Sequence, residues 1–143
     1  MPNVSDIMSI DVQAIEPAQS LRVAAELMQT LEVGALPVCD GGHLVGMITD
    51  RDITVRCVAL GLDVDAAVVA DVMSTDVQFC TAEQDTQEVM RLMGDKQVRR
   101  LPVVDVDRKL VGIVSLADLA LRQPGQIDDT MREISAPTDE DPS

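Results

Sequence analysis

Apolar positions along this chain switch between two periods, and they do so twice in the same order. Leu21, Ala24, Leu27, Met28 and Leu31 recur at three- and four-residue spacing, which puts them on one face of a helix. Two short apolar runs follow, at 35–39 and 44–49, separated by Asp40-Gly41-Gly42-His43. The glycine pair supplies the positive φ of a tight hairpin turn, so the runs are predicted to be paired strands. A second helix is predicted from about 51 to 60, with Gly61 suited to stop it. In the second half, Val89, Leu92 and Met93 form the helical face, and Asp85 with Glu88 has the spacing of a capping box. Strands at 101–104 and 110–115 flank Asp105-Val106-Asp107-Arg108. A last helix is predicted over about 116–122, ending before Pro124-Gly125.

The two halves also match residue by residue. Val4-Ser5-Asp6-Ile7-Met8-Ser9-Ile10-Asp11-Val12-Gln13 returns as Val69-Ala70-Asp71-Val72-Met73-Ser74-Thr75-Asp76-Val77-Gln78, with seven of ten positions identical at an offset of 65. Leu36-Pro37-Val38 matches Leu101-Pro102-Val103 at the same offset. Leu44-Val45-Gly46 matches Leu110-Val111-Gly112 at 66, because the second turn is one residue longer. The chain is a duplication. Its parts are read as repeat 1 at 1–62, a linker at 63–68, repeat 2 at 69–124, and an acidic tail at 125–143 expected to be solvated. Either repeat alone is too small to bury much apolar surface, so the two are expected to share a core.

Composition narrows the possible functions. Hydrophobic residues make up 46%, which excludes a mainly disordered chain, yet there is one Phe and no Tyr or Trp. Eleven basic against 25 acidic residues leave a net charge of −14, which disfavours nucleic acid as a partner. The apolar runs are too short to span a membrane, and the first residues lack a secretory pattern, so a cytoplasmic protein is expected. Cys39, Cys57 and Cys80 are odd in number and unspaced for metal, and are read as reduced, mostly buried thiols. A redox switch or metal pair is the alternative. His43, the only histidine, falls in the hairpin turn and is expected to be exposed; no metal site is assigned.

The candidate chemistry lies after the second strand of each repeat. Gly46-Met47-Ile48-Thr49-Asp50-Arg51-Asp52 and Gly112-Ile113-Val114-Ser115-Leu116-Ala117-Asp118 share the pattern Gly-x-x-(Thr/Ser)-x-x-Asp. The glycine lets the strand approach another backbone closely. The hydroxyl residue suits a helix N-cap, and the Asp three residues on lies in the first turn on the same side. A carboxylate so placed can accept hydrogen bonds from a vicinal diol such as a ribose. The plainer alternative is that Ser/Thr and Asp only cap a helix; its recurrence in both repeats favours the ligand reading.

The repeat, the Leu-Pro-Val strands and both motifs together resemble the tandem CBS domain pair, or Bateman module, over about residues 4–122. The stretch from Gly34-Ala35-Leu36-Pro37 to Thr49-Asp50-Arg51-Asp52 resembles small bacterial stand-alone pairs, including a hypoxic-response type. The resemblance implies an α+β (mixed α/β) fold. Two β-α-β-β-α repeats would be related by a pseudo-twofold axis, with their sheets packed together and helices outside. It implies a non-catalytic regulatory sensor that binds AMP, ADP, ATP or S-adenosylmethionine in clefts between the repeats, with no required cofactor. It also implies a disc-like homodimer.

Carried over, one cleft would use Ser115 and Asp118 for ribose and Ile113 beside the base, with Met8, Gln13 and Val33 opposite and Arg99 and Arg100 toward phosphate. The other would use Thr49, Asp52 and Met47, with Met73, Gln78 and Val98 opposite. There, Gly34 and Ala35 stand where the first cleft has two arginines, so charged nucleotides are expected to favour the Ser115/Asp118 cleft. Arg51 is either a substitute cation or a solvated helix residue.

No nucleophile–base constellation, phosphate loop or dinucleotide fingerprint is present, so no enzyme is predicted. An unknown effector protein would read the ligand state, and the hypoxic-response resemblance implies a stress response. Two rivals stand beside this reading: a constitutive protein–protein scaffold with vestigial clefts, and a thiol-based stress sensor.

Overall fold

The computed structural model describes residues 2–121 and Ile134. Its elements follow the predicted order. Helix α1 (Leu21–Leu31) leads into strands β1 (Ala35–Asp40) and β2 (His43–Thr49). Helix α2 begins as one α-turn, Asp50–Asp52, and continues as a π-helix over Ile53–Val58. A short helix α3 (Val69–Val72) and strand β3 (Cys80–Thr81) precede α4 (Thr86–Lys96), β4 (Arg100–Val104), β5 (Leu110–Ser115) and α5 (Leu116–Ala120). The acidic tail expected at 125–143, Ile134 apart, and the end of the last predicted helix at Arg122 lie outside the described residues.

Two compact units form, and each takes its lead-in from the other repeat. One, here the Ser115 unit, combines the described residues up to Val12 with Phe79–Val106 and 111–121. The other, the Thr49 unit, combines Gln13–Gln78 with Asp107–Leu110.

In the Thr49 unit, β1 and β2 pair antiparallel around Gly41 and Gly42, whose φ angles of 59° and 89° make the tight turn the glycine pair predicted. The register slips between Val38 and Cys39, so Val45 is the extra residue of a bulge. Pro37 has no N–H to give, and only its carbonyl is used at that edge, accepting from Ile15 N at 3.0 Å. Ile15 bridges Val38 in parallel, which supplies the first strand position of this repeat as a single bridge. Leu21, Ala24 and Met28 of α1 are buried with Leu36, Val38, Ile48, Cys57, Val69 and Val72. Leu31, expected on the same face, is 37% exposed, because it sits on the last turn where the chain leaves the helix.

The expected linker is docked within this unit. Its Val64 and Ala67, with Leu62 just before it, pack on the core, and the Ala67 and Val64 carbonyls accept from Leu21 and Arg22 N at the start of α1. Arg22 and Asp65 add an exposed ion pair there. His43 is exposed as expected but is the first residue of β2, where it bridges Lys109.

The Ser115 unit orders its strands β3-β4-β5, with β3 parallel to β4. Val89, Met90 and Met93 of α4 are buried with Val4, Cys80, Leu101, Val103, Val114, Leu116 and Leu119. Asp85 caps α4 by accepting from Gln87 N at 2.7 Å. The reciprocal half of the predicted capping box does not form, since the Glu88 carboxylate instead meets the Gln84 amide at 3.5 Å. Among the described residues, no helix is long and apolar enough to cross a membrane.

Because Leu21 is fully buried while Leu31 is not, the two ends of one apolar stripe should respond differently. Leu21→Ala is expected to cost about 2–5 kcal/mol in urea unfolding, and Leu31→Ala about 1 kcal/mol or less. Equal losses would contradict this placement of α1.

Candidate functional site

In both units the Gly-x-x-(Thr/Ser)-x-x-Asp motif makes the same strand-to-helix turn. Thr49 is the N-cap of α2: its Oγ1 accepts from Asp52 N at 2.9 Å, while Thr49 N donates to Asp52 Oδ2 at 3.0 Å. Ser115 caps α5 in the same way, with Oγ accepting from Asp118 N at 3.1 Å and Ser115 N donating to Asp118 Oδ2 at 3.4 Å. Each motif is therefore a reciprocal capping box. Capping uses one carboxylate oxygen and orients the group. Among the described residues, Oδ1 of Asp52 and of Asp118 carries no hydrogen bond, and both residues are half-buried. The two alternatives raised by the sequence are compatible: the turn is capped, and an acceptor is left over.

The glycines of the motifs meet the lead-in of the other repeat. Ser74 and Met47 exchange backbone hydrogen bonds at 2.9 and 3.0 Å, and Ser9 and Ile113 do so at 2.9 Å in both directions. A Cβ on Gly46 would stand 2.8 Å from the Ser74 carbonyl oxygen and 3.0 Å from Met73 Sδ. On Gly112 it would stand 2.8 Å from both the Ser9 carbonyl oxygen and Met8 Sδ. Only glycine admits that approach.

The Thr49 unit thus gathers Thr49, Asp52, Met47 and Met73, with Ala35 of β1 paired opposite Thr49 of β2 and the Gly34 carbonyl accepting from Asp50 N at 2.9 Å. Gln78 belongs to the same unit, whereas Val98 belongs to the other. The Ser115 unit gathers Ser115, Asp118, Ile113 and Met8, with the Arg99 carbonyl accepting from Leu116 N at 2.8 Å. Arg99 and Arg100 are both exposed. Gln13 and Val33 belong to the other unit.

Three features went unread in the sequence. Ser9 and Ser74 supply the backbone pairing that seats each lead-in. Arg56 Nη1 donates to the Val72 carbonyl at 3.0 Å, tying α2 to the end of α3 just before Met73. The repeat at offset 65 marked the serines, but side-chain reach over 16 residues leaves no periodic signal.

A profile of the CBS domain matches residues 4–58 and 69–125. The chain belongs to the CBS-domain family, as a tandem pair. It is 43% identical over 123 residues to the CBS domain-containing protein YhcV of Bacillus subtilis, covering 86% of each chain. It superposes with a TM-score of 0.77 on a crystal structure of Hypoxic Response Protein I with two coordinated zinc ions, at 37% identity over 85% of this chain and 99% of that one. The CBS domain pair of protein MJ0100, solved with 5′-methylthioadenosine and S-adenosyl-L-methionine, gives 0.72 at 27% identity, over 84% and 98%. The mixed helix-and-strand fold with two small sheets is that of CBS pairs. Among the described residues of this pair, no cluster of three or more His, Cys, Asp or Glu could hold a metal ion.

All three cysteines are free and buried. Burial pushes the Cys39 thiol up, and pushes Cys80 from an ordinary 9.0 to about 12. Thiolate, the reactive form, is scarce in both at neutral pH, which weighs against a thiol sensor.

Two outcomes follow for this CBS pair. Gly46→Ala and Gly112→Ala should each destabilise it by about 1–3 kcal/mol in urea unfolding, since the clash is with backbone; unchanged stability would contradict the close approach. Cys80 should make stability fall as pH rises from about 9 toward 12, because the unfolded thiol ionises there while the folded one keeps its proton. Urea titrations across that range should show the slope flatten in Cys80→Ala, and an identical slope would exclude Cys80 as its source.

Proposed function

We propose that this CBS pair is a non-catalytic regulatory module that binds adenosine-containing ligands at its two Ser/Thr-x-x-Asp turns. The observation that carries the reading is the duplicated geometry. Each turn presents an oriented carboxylate with an uncommitted oxygen, beside a strand that faces a methionine from the other repeat. A carboxylate oxygen can accept from a ribose hydroxyl, and the flexible, polarisable thioethers of Met8 and Met73 suit a flat purine. The MJ0100 pair, solved with two adenosine compounds, supports the choice of ligand class.

Under this reading Ser115 and Asp118 hold ribose in one unit, with Ile113 and Met8 toward the base and Arg99 and Arg100 toward phosphate. Thr49 and Asp52 hold it in the other, with Met47, Met73 and Gln78 toward the base and Gly34 and Ala35 in place of the arginines. AMP, ADP and ATP are the ligands assigned to the arginine-bearing site. A ligand that prefers one arrangement of the chain shifts the population toward it, and a separate cytoplasmic effector protein reads the shift.

A second copy of the chain is the partner best suited to the exposed side of α2. Val55 and Val58 on that helix, and Leu60 just beyond it, are 50%, 73% and 72% exposed, and a homodimer would cover them.

Thermal unfolding tests the ligand reading, because a ligand of the folded state alone must raise its stability. AMP at millimolar concentration is expected to raise Tm by several degrees and to do so more than adenosine. In the Arg99→Ala/Arg100→Ala variant the preference for AMP should vanish. Absence of any shift with AMP, ATP or S-adenosylmethionine would favour the scaffold with vestigial sites instead.

A further inference from the structure

The two sites differ by more than the loss of two arginines. In the Ser115 unit, Leu116 N binds the Arg99 carbonyl at 2.8 Å; in the Thr49 unit, Asp50 N binds the Gly34 carbonyl at 2.9 Å. These bonds put residues 34 and 99 at the same place beside the motif turn. From Arg99 a cationic side chain sets out. At Gly34 a carboxylate lies close beside the corresponding space, since a Cβ there would stand 3.2 Å from Asp50 Oδ2. Asp50 Oδ1 also accepts from Arg51 N at 2.8 Å, so the amide matching Ala117 N in the other unit is already taken by an anion. Asp50 is exposed, and its charge is open to an approaching ligand. At this position of the same turn one unit therefore offers a cation and the other an anion, with the exposed Arg51 next along the chain.

We propose that Asp50 is a specificity-determining residue that turns phosphate away from the Thr49/Asp52 site and directs it to adenosine compounds whose 5′ substituent is neutral or cationic, such as a sulfonium. This rests on the adenosine-binding reading above. Repulsion between an exposed carboxylate and a phosphate a few ångströms away amounts to roughly a three- to tenfold change in affinity, and salt screens it.

The test uses the full chain with the other site silenced by Ser115→Ala/Asp118→Ala, titrated calorimetrically with adenosine, AMP and S-adenosylmethionine. Before Asp50 is changed, S-adenosylmethionine is expected to bind more tightly than AMP. Asp50→Asn keeps the side chain's shape and removes its charge, and should raise the affinity ratio of AMP to S-adenosylmethionine about three- to tenfold. Raising the salt concentration should narrow the original ratio and leave that of Asp50→Asn nearly flat. If the ligands bind and neither the substitution nor salt moves the ratio, Asp50 does not set specificity, while the adenosine reading stands. If none of the three binds even the unaltered chain, the adenosine reading fails and this inference falls with it.

Discussion

The structure depends on a backbone exchange: the short segment ahead of each repeat pairs with the glycine-bearing strand of the other. Ser9 joins Ile113, and Ser74 joins Met47, each through two hydrogen bonds of 2.9–3.0 Å. Such reciprocal bonds are possible only because Gly46 and Gly112 present no side chain to the incoming carbonyl. The exchange completes both apolar cores. Val4 becomes fully buried in the Ser115 unit, and Val69 and Val72 become so in the Thr49 unit. It also sets Met8 and Met73 against the strands that end in the capped turns. Packing and candidate chemistry thus share one cause.

Once the backbone is placed in this way, the turns differ in charge rather than in shape. Both have a hydroxyl N-cap, a reciprocally bonded Asp and a methionine beside the strand. One adds Arg99 and Arg100; the other adds Asp50. Duplication kept the hydrogen bonds that build the turn and let the exposed neighbours diverge, since those cost the fold little. Under the proposed function, such a pair would report on two ligands of unlike charge with a single scaffold.

Much of the fold was legible because periodicity and repetition agreed. The apolar stripe of α1, the Gly41-Gly42 hairpin and the strands carrying Leu36-Pro37-Val38 and Leu101-Pro102-Val103 all follow from local pattern. The capped turns were legible too, since Ser/Thr and Asp three apart is itself a capping signal. Features that depend on where distant segments land were not. The exchange partners of Ser9 and Ser74, the docking of Leu62, Val64 and Ala67, and the bond from Arg56 to Val72 leave no periodic trace. The π-helix over Ile53–Val58 has no signature distinct from an α-helix in apolar spacing. Asp85 and Glu88 had capping-box spacing, yet Glu88 turned to Gln84, a nearby competitor that spacing alone does not rank. Asp50 was read as part of a motif, and its role emerged only from its position over Gly34.

The central claim is that the two capped carboxylates hold a ribose. Native mass spectrometry of the purified chain with millimolar adenosine compounds addresses it most directly, because it counts bound molecules per chain. The account predicts up to two adducts on the unaltered chain and none on Asp52→Ala/Asp118→Ala. Equal adduct formation by both, or a bare mass at every concentration, would contradict it.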